Sequence, residues 1–326
     1  LIAITMGTFS TAISNGSRLG WASPLIFGLL FTAACCLVTF ILVELTTKSP
    51  LLEVRLFKVR TFTISVVVGF MFGVGMFGSM YVLPIFTQTV MGYSASKAGL
   101  LLMVSGLMMM PTFPIGGRLA QGPRTGLPIS AGMLMFGASS VALASADTNS
   151  AFWFVALWAT FGRVGLSIAM PALQTGALRE LSPDLLPYGA GTMNFVRMTG
   201  AAIGTNVLAM ILDQRLVYHA DYLAATQVDS NTDTRHLLEH VNAMLINHGV
   251  TAADRVPVAM NYLSQVVTAQ ANSLAFKDGF MVLALGFLLA AISALALAGK
   301  PKSQALRARP PEGRVPLGAG AEPTRS

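Results

Sequence analysis

The chain has 326 residues, 54% of them apolar and 11% charged, with a formal charge of +7. Soluble domains carry about a quarter charged residues, so this composition excludes an ordinary water-soluble enzyme or binding module and makes lipid the solvent for most of the chain. The excess positive charge does not point to nucleic acid, because the basic residues are spread among loops rather than gathered on one face.

In chain order, the opening stretch 1–14 is apolar but rises only about 21 Å at 1.5 Å per residue, too short to cross about 30 Å of hydrocarbon. No basic segment precedes it, as a signal peptide would require. It is expected to be the outer part of a truncated helix. Seven longer apolar runs follow at 22–44, 62–90, 97–116, 127–146, 151–174, 188–212 and 276–298, each near the ~20 residues that a span needs. They are continuous rather than alternating and are punctuated by Gly and Pro, which selects helices over a β-barrel. Helices satisfy every backbone N–H and C=O within lipid, so the expected fold class is an all-α membrane protein.

The segment 46–61 holds Lys48, Arg55, Lys58 and Arg60 among Leu51, Leu52, Leu56 and Phe57. It reads either as an interfacial amphipathic stretch or as a charged connector with snorkelling side chains. Arg118 and Arg124, then Arg179, occupy loops on the same side, and Lys300, Lys302, Arg307, Arg309 and Arg314 crowd the tail. The alternate loops hold only Arg18, Lys97 and none at 146–150. Cytoplasmic loops carry the excess of Lys and Arg, which places the first set and the tail inside. The polar stretch 213–272 is then outside, and reads as short helices at 216–226, 234–247 and 255–272, with turns at Asp229-Ser230-Asn231 and His248-Gly249. The tail 299–326 is rich in Pro, Gly and Arg and is expected to be disordered.

Arg163 and Arg197 fall near the middle of spans, where an arginine costs about 2.5–3.5 kcal/mol even on the lenient insertion scale. Both must face protein or water. Asn194, Arg197, Ala201 and Gly204 recur at helical spacing, with Gly200 in the same stretch, so a neighbouring helix can approach closely while the guanidinium meets carbonyls or an anion. Pinning two helices together and serving transport are both open for Arg197. Gly162 and Gly165 flank Arg163 and give it room to reach a carbonyl or cavity. Met103, Met108, Met109 and Met110 precede Pro111 and Pro114; such thioethers fill cores and also line promiscuous surfaces. Gly69, Gly73, Gly75 and Gly78 form a small-residue face for close packing. Cys35 and Cys36 are adjacent within a span and read as packing residues. His236 and His240 lack an evident third ligand, so no metal site and no cofactor are expected. No Asp, Glu or His lies deep in a span, so proton coupling is not expected of this chain alone.

The ordered set Pro50-Leu51-Leu52, Arg55-Leu56-Phe57-Lys58, Arg60-Thr61-Phe62, Leu83-Pro84, Gln88, Gly92-Tyr93-Ser94, Ala98-Gly99-Leu100, Pro114, Gly117-Arg118-Leu119, Arg163, Gly165, Pro171, Asn194, Arg197, Gly200 and Gly204 resembles the fourteen-helix drug/proton antiporters of the major facilitator superfamily, the EmrB/QacA type. The resemblance implies that 1–45 are two extra central helices, the first truncated, that 46–61 is the connecting cytoplasmic loop, and that 62–298 is the C-terminal six-helix bundle. It implies that Gly117 and Arg118 belong to a cytoplasmic gating loop, although Gln121 stands where an acidic residue is frequent. Arg163, Asn194, Arg197, Gly200, Gly204, Met103 and Met109 are then the candidates for the substrate pathway or for helix gating.

The function so implied is proton-coupled multidrug efflux across the inner membrane by alternating access, with the coupling site in a missing N-terminal half. Expected partners are the bilayer, small amphipathic substrates and protons, joined in Gram-negative relatives by a periplasmic adaptor and an outer-membrane channel. Arginines without partner acids suggest instead an exporter of one anionic lipid or metabolite, and the long outer stretch suggests a scaffold or sensor. An enzyme is not expected, since no catalytic constellation occurs at membrane depth.

Overall fold

The computed structural model describes residues 1–46, 53–122, 124–228 and 231–298, and every regular element among them is helical. In chain order these are α1 (Ile2–Leu19), α2 (Pro24–Thr46), a 3₁₀ turn (Val54–Lys58), α3 (Arg60–Thr89), α4 (Ala95–Leu107), α5 (Met109–Ala120), α6 (Gly126–Ala144), α7 (Phe152–Leu178), α8 (Leu186–Ala225), α9 (Thr232–Asn247) and α10 (Ala252–Leu295), closed by a second 3₁₀ turn (Ala296–Ala298). Seven helical stretches among the described residues are long and apolar enough to cross a membrane, with α4 and α5 together making one of them.

Four expectations need correction. The opening helix does not stop near residue 14: α1 continues to Leu19 and ends at Gly20, whose φ of 82° suits a residue without Cβ. Arg18 therefore lies in the last turn of α1 rather than in a loop. The apolar run 97–116 is two helices, because Pro111 has no N–H for the Leu107 carbonyl and crowds it. The ladder breaks at Met108, whose N–H reaches the Val104 carbonyl only at 3.4 Å. Finally, 213–272 is not a loop of three short helices. Its first part continues α8, a helix of 40 residues, and its last part opens α10, a helix of 44 residues. At 1.5 Å per residue these run about 60 and 66 Å, twice the hydrocarbon thickness. No Gly or Pro interrupts the chain between Leu212 and Ala225, so nothing stops the helix as it leaves the apolar span. α9 packs on the extension of α10.

Of the basic connector, Leu51 and Leu52 lie outside the described residues, as does the tail 299–326. Leu56 is fully buried while Arg55, Phe57 and Lys58 are exposed, so the 3₁₀ turn is tied to the bundle by one leucine. The Phe57 ring meets Phe62 edge-on at 6.0 Å.

The bundle is held by backbone-to-backbone crossings at glycine. A Cβ on Gly73 would overlap the Arg197 carbonyl oxygen, and one on Gly200 would overlap that of Phe70. On Gly204 it would lie 2.6 Å from the Val74 Cα, so three positions along α3 and α8 admit only hydrogen. α6 and α7 cross with Gly132 and Gly165 each against the other's carbonyl. α5 meets α7 at Gly116, where a Cβ would come within 2.7 Å of the Ile168 oxygen. Lipid supplies no hydrophobic drive between helices, so dispersion at such close approach holds them together.

Two apolar clusters fill the interior. One gathers Leu56, Phe62, Phe72, Met133, Phe136 and Phe287; the other Leu83, Phe86, Leu143, Val155, Phe276 and Phe280. α1 docks on α8 through Asn206, whose Oδ1 accepts from the Ser14 hydroxyl at 3.0 Å and whose Nδ2 donates to Ser10 Oγ at 3.0 Å.

Gly73→Leu should disrupt folding through overpacking, at a cost above the usual ~1–3 kcal/mol because the obstacle is backbone. Gly99→Leu should be tolerated, since nothing lies within 4 Å of its Cβ position. Size-exclusion profiles of the two tagged variants would check this, with a monodisperse Gly73→Leu peak as the contrary result.

Candidate functional site

Arg163 sits on the face of α7 turned into the bundle and is 6% exposed. It lines a cavity of about 20 Å³ together with Ser79 of α3, Ser139 and Ser140 of α6, and Phe280 and Leu283 of α10. Its Nη2 is buried with no hydrogen-bond partner, and it forms no ion pair among the described residues. The flanking glycines serve a purpose beyond giving it room: Gly162 lies against Ser139 and Gly165 against Gly132, which brings α6 close. Ser139 spans the two helices by donating to the Trp158 carbonyl at 2.6 Å.

Arg197 is arranged differently. Its carbonyl is pressed on Gly73, but its guanidinium makes an exposed hydrogen bond, donating from Nη2 to Asn194 Oδ1 at 2.6 Å. Gly200 and Gly204 continue the same stripe as packing residues. Beyond them lies an apolar crevice of about 220 Å³ between α3, α8 and α10, lined by Phe70, Val74, Ile203, Val207, Leu283 and Phe287, among others. One cation with its amide partner and an apolar crevice thus share one helix face, two turns apart.

The methionines are not core residues. Met103, Met108 and Met110 are exposed and Met109 is intermediate, because α4 and α5 pack through Ala98, Leu101, Ser105, Gly116 and Ala120 instead. Gly117 has open space beside it and Arg118 is exposed in the last turn of α5. The contact that ties this turn down comes from Arg179, whose Nη1 donates to the Gly122 carbonyl at 2.8 Å. In the neighbouring turn, hydrogen bonds from Ser182 and its own backbone, then the Arg55 charge, hold the Asp184 carboxyl below the usual aspartate range.

One cluster escaped sequence reasoning. Where α8 and α10 run on beyond their apolar parts, Asp278 Oδ2 lies 2.8 Å from His219 Nε2 and 3.6 Å from Arg215 Nε. The i, i+4 spacing of Arg215 and His219 was the available signal, but their acceptor is 59 residues from His219. His236 stands 3.7 Å from Glu239 on exposed α9.

Residues 1–205 match the profile of the Major Facilitator Superfamily. The chain belongs to that family. It is 30% identical over 201 residues to the multidrug transporter protein MdtP of Bacillus subtilis, covering 62% of this chain and 37% of that one. It is 23% identical over 287 residues to the colistin resistance protein EmrB of Acinetobacter baumannii, covering 87% and 55%. A crystal structure of a bacterial homologue of the human lysosomal transporter Spinster, inward-facing and occupied, superposes with a TM-score of 0.51 at 14% identity, over 90% of this chain and 63% of that one. That likeness shows the fold. The chain spans about half the length of the curated relatives it matches. With seven apolar helices in this superfamily fold, it is a multi-pass membrane protein.

Asp278→Ala removes the acceptor shared by Arg215 and His219. Because Arg215 is 52% exposed at its side chain, the loss should stay near the ~1 kcal/mol ceiling of exposed pairs. Amide exchange in the α8 extension should quicken while the apolar part of α8 is unchanged; uniform exchange in both parts would contradict the contact.

Proposed function

We propose that this chain is the C-terminal part of a fourteen-helix drug/proton antiporter, exporting amphipathic compounds across the inner membrane by alternating access. The observation that carries the reading is the α8 face on which the Arg197–Asn194 pair stands two turns from the apolar crevice of Phe70, Val74, Ile203 and Val207. An amphipathic solute offers the same two chemistries. The relatives named for multidrug transport and for colistin resistance support the substrate class. The family fold supports movement of one bundle against another.

On this reading α1 and α2 are central helices and α3 to α10 are the C-terminal bundle. The basic connector and tail lie in the cytoplasm, following the distribution of Lys and Arg. Gly117 and Arg118 belong to the cytoplasmic gating turn, and the exposed Met103 and half-buried Met109 face the partner bundle or the substrate path. The proton-coupling group belongs to the other half of the transporter. A periplasmic adaptor and outer-membrane channel are the partners proposed for a Gram-negative host.

A second reading draws on Arg197 having a neutral partner and, among the described residues, no carboxylate: export of a single anionic lipid or metabolite. Competition separates the two, since one saturable anion with no response to dyes belongs to the second.

The test is dye efflux from cells lacking their own pumps, comparing this chain, its full upstream reading frame, and that frame with Arg197→Ala. Uncoupler-sensitive efflux from the full frame, reduced at least tenfold by Arg197→Ala at equal expression, is expected. Unchanged efflux in the variant would remove Arg197 from the mechanism.

A further inference from the structure

We propose that the cavity beside Arg163 is a binding site for a monatomic anion of the chloride class, which locks α3, α6, α7 and α10 together. Arg163 is 6% exposed, and no carboxylate pairs with it among the described residues. A buried, unpaired charge is costly, and a water molecule would hydrate it without neutralising it.

The second observation is room. The cavity of about 20 Å³ holds one or two waters by volume and equally one chloride, but not a phosphate or a carboxylate-bearing metabolite. It lies inside the bundle, between four helices, separated from the apolar crevice by Leu283, which lines both.

The third is donors. Ser79 and Ser140 each donate to a carbonyl of their own helix, to Met76 at 2.9 Å and Phe136 at 3.0 Å. Those are back-bonds to a turn already hydrogen-bonded, so the hydroxyls rotate to an anion at little cost. Ser139 stays on the Trp158 carbonyl and keeps α6 against α7. The guanidinium and two hydroxyls thus surround the ion, and the walls of Phe280 and Leu283 exclude competing water. Because the donors come from α3, α6 and α7, the ion binds the folded bundle and not the unfolded chain, which makes it a stabilising ligand.

The experiment compares the thermal stability of the purified chain in detergent in sodium chloride, sodium bromide and sodium gluconate at equal ionic strength. Chloride and bromide should raise Tm saturably, by about 5 °C at a hundredfold excess over Kd, and the rise should vanish in Arg163→Met. Equal Tm in halide and gluconate, or an undiminished halide response in Arg163→Met, would overturn the proposal. Should that variant not fold, bromide-soaked crystals of the unaltered chain decide: an anomalous peak within hydrogen-bond distance of Arg163 supports the site, and its absence refutes it.

Discussion

Close crossing of helix backbones at glycine is the constraint on which the rest of this structure depends. Inside lipid, apolar side chains gain nothing by leaving solvent for one another, so a bundle coheres through contact density and hydrogen bonds. Gly73, Gly200 and Gly204 bring α3 onto α8, Gly132 and Gly165 bring α6 onto α7, and Gly116 brings α5 onto α7. Each removes a Cβ that would meet backbone. Since α3 and α7 also contact each other, the crossings join into one unit rather than separate pairs.

Where the glycines sit decides where polar groups can go. Glycine on both sides of Arg163 draws α6 inward, so the guanidinium is enclosed rather than presented to a substrate path. It occupies a polar layer with Ser79, Ser139 and Ser140, between the apolar clusters of Phe287 and Phe276. Arg197 has the opposite outcome. Its backbone forms part of a crossing while its side chain turns toward exposed Asn194. Two arginines of similar depth in the sequence therefore have different surroundings, one bundle-internal and one accessible. The accessible one stands two turns from an apolar crevice, which is why the proposed function gives it the solute.

The spans were legible because hydropathy reports lipid directly, and the glycine face of α3 was legible because its spacing is helical. Arg163 and Arg197 stood out by cost alone. What could not be read was anything set by tertiary contact. Which glycine of Gly116 and Gly117 packs depends on the position of α7, and the methionines of α4 and α5 look like core until the packed face is known. The long helices α8 and α10 were hidden for another reason. Outside lipid a helix needs no apolar run, so the change in composition at Leu212 looked like a loop boundary while the hydrogen-bond ladder continued. Asp278 joins Arg215 and His219 only after that continuation is known.

The glycine crossings press the backbones of α3 and α8 together and so make the two helices one rigid unit. Spin labels at exposed Val67 of α3 and Met198 of α8 would report it by double electron–electron resonance in lipid nanodiscs, with and without an amphipathic dye. A single narrow distance distribution, unchanged by the dye, is predicted. A broad or two-peaked distribution that shifts with the dye would show that the crossing opens, and would contradict the account.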